Sequence, residues 1–271
     1  MVERQLIPIH GRDDLVVQIT DDGSRTLLDV EMGVAFHSAS GAVTETKHVY
    51  LDNSLVSQRL GEGKPSRVLE IGLGTAMGLL LTLDQAIEHR VALEYNSLEL
   101  RLLPADVLSQ LNLHEHLEHP WLAAAFLDWR RNLGEKVADG QYVWEVDHAM
   151  SHSMGRDLTT AGNEGQPDAS PIRCTISVGD FSHHAFEDDA TYDAIYFDPF
   201  APSASPDLWS GENCSKLRKQ LSPGGRLTTY CVSREVREKF CTAGFDVKRV
   251  RGPEGGKREV LIAFPRLTVE T

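Results

Sequence analysis

The sequence is poor in cysteine and has no long apolar segment. Its four cysteines are Cys174, Cys214, Cys231 and Cys241. They are widely spaced and form no CxxC pair, which argues against both a disulfide framework and a zinc site. The longest mostly apolar stretch, residues 73–83, is interrupted by Gly and Thr and is shorter than the roughly 20 residues that a membrane helix needs. The N-terminus has an early acid and no apolar core of the kind a secretory signal has. We therefore expect a cytoplasmic protein with reduced thiols and no membrane contact.

Positive charge is also scarce. The 271 residues include 27 Lys and Arg against 40 Asp and Glu, which gives a formal net charge of −13. This excess of acid repels phosphate backbones at long range, so cationic ligands suit the global charge better than an extended nucleic-acid interface. The last quarter of the chain is an exception, because it concentrates basic residues between Lys216 and Arg258. These residues fit either a local RNA-facing patch or a mixed solvated face.

The composition and the local patterns indicate a folded α/β protein. Hydrophobic residues make up 41% of the chain and charged residues 25%, as in ordinary globular proteins. Within residues 1–56, turn dipeptides at Asp22-Gly23 and Ser40-Gly41 separate short apolar runs and predict β-hairpins. From residue 67 a strand, a Gly-rich turn, a helix and a strand at residues 91–94 form a βαβ unit, whose strands are parallel. The pattern predicts a doubly wound, mostly parallel sheet in residues 57–271, preceded by an N-terminal β extension.

The rest of the chain is interpreted more coarsely. Residues 97–134 are predicted to be helical, with Pro104 and Pro120 at helix starts or kinks, and residues 155–170 to be an exposed loop, so that about 97–170 form a helical insertion. Further strands are predicted at residues 172–178, 192–197 and 226–232. Residues 246–250 and 258–264 are expected to pair as an antiparallel hairpin at the C-terminus.

Glycines follow the first strand of the βαβ unit at Gly72, Gly74 and Gly78. Glycine lets the backbone approach a ligand closely, and the following helix start offers free N–H groups. The spacing is G-x-G-x-x-x-G, not the G-x-G-x-x-G of a dinucleotide site, so a purely structural turn is a fair alternative. Glu94 comes 22 positions after Gly72 and is predicted to end the next strand, where an acid can accept hydrogen bonds from both ribose hydroxyls.

Two later strands also end in acidic residues. Asp180 and Phe181 are placed to bind the exocyclic amine and the ring of adenine, although a turn Asp beside a core Phe is the simpler interpretation of this pair alone. The apolar strand before Asp198 delivers its carboxylate to the edge where open α/β sheets build their sites. Pro199 stiffens the backbone just beyond it. We assign Asp198, Pro199 and Phe200 to the catalytic end, the alternative being that Asp198 caps the next helix.

Several stretches together resemble a known family. They are DGSRT (22–26), FHSASGAVTETKHVY (36–50), EIGLGT (70–75), DAIYFDPFAP (193–202), PDLW (206–209), PGG (223–225) and GKRE (256–259). The combination looks like class I S-adenosylmethionine-dependent methyltransferases and, more narrowly, like the methyltransferase domain of MnmC, the enzyme of tRNA 5-methylaminomethyl-2-thiouridine biosynthesis, and its standalone relatives. The pairing of D-x-F-A-P with P-D-x-W is the most particular feature. The resemblance departs at Pro199, where the family has Gly.

The resemblance implies a Rossmann-like methyltransferase fold with an antiparallel C-terminal strand and S-adenosyl-L-methionine as the cofactor. Glu70, Gly72 and Gly74 would surround the methionine part of that cofactor. The implied reaction is N-methylation of an aminomethyl group on a tRNA wobble uridine. The implied partners are therefore tRNA or a small amine, with no metal, no membrane and no flavin-dependent oxidase domain in this chain.

Three other functions remain open from the sequence. One is an aminopropyltransferase, or a small-amine methyltransferase, of the spermidine-synthase type, which an acidic surface would suit. Another is a binding protein that keeps the cofactor pocket and performs no chemistry. The third is a nicotinamide dehydrogenase, which the glycine spacing disfavours. The histidines at 114, 116 and 119 have no evident fourth ligand and are interpreted as surface residues.

Overall fold

The computed structural model describes residues 4–146, 171–186 and 191–266. The N-terminal extension forms a four-stranded antiparallel sheet in the order β1-β2-β3-β4. Its strands are β1 (Leu6–Ile9), β2 (Arg12–Ile19), β3 (Arg25–Asp29) and β4 (Val34–Ala35). The Asp22-Gly23 turn joins β2 to β3, and Gly23 has a φ of 82°, a conformation that glycine adopts without strain. The predicted hairpins are confirmed.

The main sheet has eight strands in the order β11-β12-β10-β9-β5-β6-β8-β7. They are β5 (Ser66–Ile71), β6 (Leu93–Glu99), β7 (Gly140–Val146), β8 (Ile172–Val178), β9 (Tyr192–Phe197), β10 (Leu221–Thr229), β11 (Phe245–Arg251) and β12 (Glu259–Pro265). The five central strands from β10 to β8 are parallel, and both edges are antiparallel. Strands β5 and β9 are buried along most of their length, as expected for central strands of a sheet with helices on both faces. The doubly wound α/β fold with an antiparallel C-terminal hairpin is confirmed.

Seven α-helices and one π-helix are described. They are α1 (Ala42–Thr46), the π-helix (Lys47–Asp52), α2 (Val56–Gly61), α3 (Met77–His89), α4 (Ala105–Ser109), α5 (Trp121–Asn132), α6 (Gly211–Gln220) and α7 (Arg234–Thr242). Short 3₁₀ turns lie at Leu113–His116, Phe181–His183 and Pro206–Trp209. Pro104 and Pro120 occupy the N-cap positions of α4 and α5, so both prolines mark helix starts as predicted.

The predicted helical insertion is wrong in two places. Residues 97–99 belong to β6, because their backbones pair with β5 and β8. Residues Gly140–Val146 form β7, an antiparallel edge strand on β8 that the sequence analysis missed. The loop predicted at 155–170 lies outside the described residues.

The extension and the main sheet share an apolar core. Val17 of β2 and Leu27 of β3 are buried in the same cluster as Val68 of β5 and Leu80 of α3. Burial of this kind stabilises by roughly 25 cal/mol per Å² of apolar surface, so the extension is part of the folded unit. No helix in the described ranges is long and apolar enough to cross a membrane.

Candidate active site

A cavity of about 880 Å³ opens at the carboxyl ends of the parallel strands. The residues that follow β5, β6, β8 and β9 form its floor. The N-terminal extension contributes a wall that includes Phe36, His37 and Glu45. This is the edge at which open α/β sheets bind their ligands.

Gly72 holds the loop after β5 close to the end of β9. Its φ is 94°, and a Cβ on it would lie 2.8 Å from the carbonyl oxygen of Asp198. Its N–H donates to the Leu98 carbonyl at 2.9 Å, and the Asp198 N–H donates to the Ile71 carbonyl at 3.0 Å. Only glycine fits this position, and the close approach fixes where Asp198 begins.

The next glycines face two carboxylates, of which Glu70 is buried and Glu99 is half-buried. The Gly74 N–H donates to Glu99 Oε2 at 3.0 Å. A Cβ on Gly78 would lie 2.5 Å from Glu70 Oε1, so the start of α3 packs directly on that side chain. Glu70 is 4% exposed and accepts a hydrogen bond from Ser97 Oγ at 3.2 Å. Burial, with repulsion from Asp198, raises the Glu70 pKa well above its usual value.

Glu94 does not lie at this site. It is the second residue of β6, near the amino end of the strand, where Arg67 donates to it through Nε at 2.9 Å and Nη2 at 3.1 Å. Asn96 Nδ2 also donates to it. The strand was predicted to end at Glu94, but β6 continues for five more residues to Glu99. Its polar residues remain in the strand because they pair with the neighbouring strands β5 and β8. The structure therefore brings Gly72 and Asp198 into one cavity without Glu94.

Glu99 takes the position that was predicted for Glu94. It is the last residue of β6 and lines the cavity, where its two carboxylate oxygens accept from the N–H groups of Gly74 and Arg101. Burial raises the Glu99 pKa, while these and neighbouring backbone N–H groups act in the opposite direction. The sequence signal for Glu99 was an acidic residue at the true end of the strand.

Asp180 and Phe181 reach the cavity from the end of β8. Asp180 caps a 3₁₀ turn, since its Oδ1 accepts from the Ser182 N–H at 2.7 Å. Phe181 is buried, and the Lys216 ammonium lies 5.1 Å from the centroid of its ring. The same ammonium donates to the carbonyls of Phe181, Ser182 and His184, which ties this loop to α6.

The loop after β9 is fixed by its backbone. The Tyr230 hydroxyl donates to the Pro199 carbonyl at 2.9 Å, and Trp209 Nε1 donates to the Phe200 carbonyl at 2.8 Å. The Phe200 ring meets Phe36 of the extension edge to face, with centroids 5.1 Å apart. PDLW, one half of the pairing that resembles the family most specifically, thus supplies the indole that holds the loop.

Asp198 faces a mixed electrostatic environment. Burial raises its pKa well above the usual value; Tyr50 and Lys257 lower it, and Glu45 raises it. These three neighbours lie in stretches 36–50 and 256–259, which carried the family resemblance but were given no role. The sequence pointed to the segments without showing that they meet at Asp198.

Within the described ranges, no group of three His, Cys, Asp or Glu residues could hold a metal ion. Of the three clustered histidines, His119 pairs through Nδ1 with Asp84 Oδ1 at 3.0 Å. His114 and His116 lie on a short 3₁₀ turn.

A model of a protein family described as S-adenosyl-L-methionine-dependent methyltransferase matches residues 149–265. The chain is an S-adenosylmethionine-dependent methyltransferase. Its cofactor is therefore S-adenosyl-L-methionine, as expected.

The methyltransferase is similar to bifunctional MnmC proteins of tRNA 5-methylaminomethyl-2-thiouridine biosynthesis. It is 28% identical over 224 residues to the protein from Delftia acidovorans, with 81% of this chain and 30% of that protein covered. It is 29% identical over 251 residues to the protein from Pseudomonas aeruginosa, strain UCBPP-PA14, with 90% of this chain and 34% of that protein covered. The chain thus spans about a third of the length of these relatives.

The solved structure of MnmC2 from Aquifex aeolicus has the same fold. It superposes with a TM-score of 0.64 at 19% identity, over 96% of this chain and 74% of that chain.

The residues of the cavity fit an adenosine cofactor with a sulfonium. Gly72 and Gly74 both have positive φ and line the cavity with backbone that carries no side chain. The hydroxyl of Thr75, which lines the cavity beside them, is buried and has no hydrogen-bond partner among the described residues. An unpaired buried hydroxyl is costly, so the cradle suits a polar ligand.

Proposed function

We propose that this methyltransferase methylates the nitrogen of an aminomethyl group on a tRNA wobble uridine. The observation that carries the proposal is the placement of Asp198: its backbone packs on the glycine loop at Gly72 and its side chain faces the same cavity. One carboxylate therefore stands between the cofactor cradle and the acceptor side. The names of the similar MnmC proteins support a uridine of tRNA as the acceptor.

We assign the cofactor contacts from this geometry. Gly72, Gly74 and the buried Glu70 would surround the methionine part. Glu99, in place of Glu94, would hold the ribose hydroxyls, and Asp180 with Phe181 would bind adenine. S-adenosylmethionine supplies a methyl group on a sulfonium, so the protein need only position the acceptor and tune the local charge.

Asp198 would orient the acceptor nitrogen. An alkylamine has a pKa near 10, judged from lysine, so the acceptor arrives as an ammonium whose N–H groups can donate to the carboxylate. The hydrogen-bonded carbonyls of Pro199 and Phe200 keep the wall of the acceptor site rigid. In well-oriented systems such positioning contributes on the order of 7 to 11 kcal/mol to the lowering of a barrier.

The test is mass spectrometry of tRNA nucleosides from a strain in which the gene for this chain is deleted. We expect the methylaminomethyl-uridine to disappear and its unmethylated precursor to accumulate. A plasmid copy of the wild-type gene should restore the modification, whereas an Asp198→Asn copy should not. An unaltered nucleoside profile in the deletion strain would reject tRNA as the acceptor.

A small amine is the second candidate, and the net charge of −13 favours it. An aminopropyltransferase would use decarboxylated S-adenosylmethionine. Calorimetry with both forms of the cofactor separates these reactions, since a methyltransferase should bind the carboxylated form more tightly. Tighter binding of the decarboxylated form would favour aminopropyl transfer.

A further inference from the structure

A second carboxylate, Glu45, lies at the acceptor end of the cavity. It comes from α1 of the N-terminal extension, is 6% exposed and lines the cavity with Asp198. Its Oε2 accepts from the Ser38 N–H at 2.5 Å. No described residue donates a hydrogen bond to its Oε1. One oxygen is therefore held by the protein and the other is left for a ligand.

Glu45 is positioned by the turn between β2 and β3. Ser24 Oγ accepts from the N–H groups of Ala42 and Val43 at 3.1 and 3.2 Å, and Asp22 Oδ2 accepts from the Thr44 N–H at 3.0 Å. These are the first N–H groups of α1, which have no partners within the helix. The cap thus fixes the start of a single helical turn whose fourth residue is Glu45.

The π-helix that continues α1 presents a buried hydroxyl to the same space. Tyr50 is 3% exposed and lines the cavity, and its hydroxyl faces Asp198 without reaching hydrogen-bond geometry with any described residue. Leaving a buried hydroxyl unpaired costs about 1–3 kcal/mol. The Tyr50 hydroxyl, which interacts electrostatically with the Asp198 carboxylate, therefore adds a second polar group for a ligand at this position.

The charged and titratable groups that face Glu45 are Asp198, Lys257, Tyr50 and Tyr230. Lys257 is exposed at the mouth of the cavity, with its Nζ 3.6 Å from the centroid of the Tyr230 ring. Burial raises the pKa of Glu45, opposed by the Ser38 N–H and by Lys257. A carboxylate with a raised pKa accepts a proton more readily than one in water. The carboxylates of Glu45 and Asp198 outnumber the single ammonium of Lys257, and this excess of negative charge also favours an acceptor that arrives as an ammonium.

We propose that Glu45 is a catalytic residue that removes the proton from the acceptor ammonium, while Asp198 orients the nitrogen. The step rests on the proposed amine methylation. An N–H bond of the ammonium breaks, the proton passes to the Glu45 carboxylate, and the electron pair stays on nitrogen. That pair would form the bond to the methyl group as the S–CH3 bond of S-adenosylmethionine breaks, with the electrons of the broken bond remaining on the sulfur of S-adenosylhomocysteine. The proton then leaves Glu45 through the open cavity to solvent.

The test compares pH profiles of single-turnover methyl transfer for the wild type, Glu45→Gln and Glu45→Asp between pH 6 and 9.5. The acceptor is tRNA from the deletion strain or, if the wild type does not methylate it, a panel of primary alkylamines. We expect Glu45→Gln to be about 10²–10⁴-fold slower near pH 7. Its rate should rise about tenfold per pH unit, because the free amine then forms in solution below its pKa near 10. The deficit should therefore shrink at high pH, and Glu45→Asp should recover part of the rate at pH 7.

A structural role for Glu45 would give a different result. It would make Glu45→Gln slow by the same factor at every pH and would weaken the binding of S-adenosylhomocysteine. If Glu45 is catalytic, we expect the affinity of Glu45→Gln for S-adenosylhomocysteine, measured by calorimetry, to stay within about twofold of wild type. Glu62→Gln, an exposed substitution at the end of α2, is the matched control and should leave the profile unchanged. A pH-independent deficit, or none, overturns the role of Glu45 while the proposed function stands.

The choice of acceptor, tRNA or alkylamine, distinguishes a failure of the proposed tRNA methylation from a failure of the proposed role of Glu45. Transfer to alkylamines but not to tRNA rejects the tRNA assignment, and the pH profile then still decides the role of Glu45. A wild-type protein that methylates neither acceptor overturns both.

Discussion

At the scale of single residues, Asp198 is the residue that, in the proposed reaction, connects the cofactor loop with the acceptor. Its carbonyl lies where a side chain on Gly72 would have to fit, and the residue lines the cavity in which we propose that the acceptor binds. The sequence was sufficient to single it out, because an apolar strand that ends in Asp-Pro predicts an acid at the binding edge of a sheet. The sequence did not reveal Glu45 and Tyr50, since they reach Asp198 only through the packing of a separate sheet.

We expect Asp198→Asn to lower turnover by at least about 100-fold, because the amide keeps the shape but loses the charge that orients an ammonium. Affinity for S-adenosylhomocysteine, measured by calorimetry, should change little. Asp193→Asn is the matched control on the same strand: it loses contacts to Arg59 and Arg67, far from the cavity. That variant should melt at a lower temperature and retain its turnover per folded molecule. Near-normal turnover of Asp198→Asn would remove this carboxylate from the mechanism.

We expect substitutions of the two acidic residues of β6, Glu99 and Glu94, to have different effects on cofactor affinity. Glu99→Gln should weaken S-adenosylhomocysteine binding about 10-fold or more, because a hydrogen bond to a charged group contributes about 1.5–3 kcal/mol. Glu94→Gln should leave the affinity unchanged, since Glu94 lies outside the cavity beside Arg67. Titration calorimetry of both variants decides between them. The reverse order of effects would restore Glu94 to the ribose site.

Gly72 and Gly63 provide a matched pair of backbone substitutions. Both have positive φ, but a Cβ meets the Asp198 carbonyl only at Gly72, while at Gly63 there is no atom within 4 Å. Gly63→Ala should cost about 1–2 kcal/mol from backbone strain alone. Gly72→Ala should cost about 1–3 kcal/mol more and should also lower turnover, because the strand end that carries Asp198 must shift. Thermal melts and rate measurements test this, and equal losses in the two variants would contradict it.

At the scale of elements, β6 and β7 show where prediction from sequence stops. The polar residues after Glu94 looked like the end of a strand, yet Ser97 donates to Glu70 and Asn96 donates to Tyr192 of β9. These partners come from distant parts of the chain. The pairing of β7 with β8 is also non-local. From the sequence alone, the residues of β7 were interpreted as part of a long helical insertion. By contrast, the strand-turn-helix at residues 66–89 and the C-terminal hairpin depend on local patterns, and both were predicted.

The anchor of α1 should be visible in the pH dependence of stability. Burial acts to raise the Asp22 pKa, but hydrogen bonds from Ser24, Thr20 and Thr44 outweigh it and lower that pKa well below the usual value. A lowered pKa in the folded state adds stability above the unfolded value near 3.9, and this stability is lost as the pH falls towards the folded value. The melting temperature of Asp22→Asn should therefore lie below that of wild type at pH 7.

The gap between wild type and Asp22→Asn should stay constant down to about pH 5 and shrink below about pH 4. Asp21→Asn is the matched control, because Asp21 is exposed and its ion pair with Arg4 is a loose 3.6 Å contact. It should melt like wild type throughout. A gap for Asp22→Asn that grows on acidification would contradict the role of Asp22 as an ionised cap.

At the scale of the whole molecule, the extension and the main sheet behave as one unit in their packing. Side chains of β2 and β3 are buried in the cluster that contains β5 and α3. We therefore expect a single cooperative unfolding transition in which the calorimetric and van't Hoff enthalpies agree. Two separated transitions, the first of which releases residues of β1–β4, would show that the extension is an independent domain.

The cofactor site is tested most directly by a crystal structure of the protein with S-adenosylhomocysteine. We predict that the adenosine lies in the cavity, with its ribose hydroxyls about 2.6–3.2 Å from Glu99, adenine beside Asp180 and Phe181, and the sulfur on the side of Asp198. Adenosine bound beside Glu94 and Arg67, or outside the cavity between Gly72 and Asp198, would contradict this site.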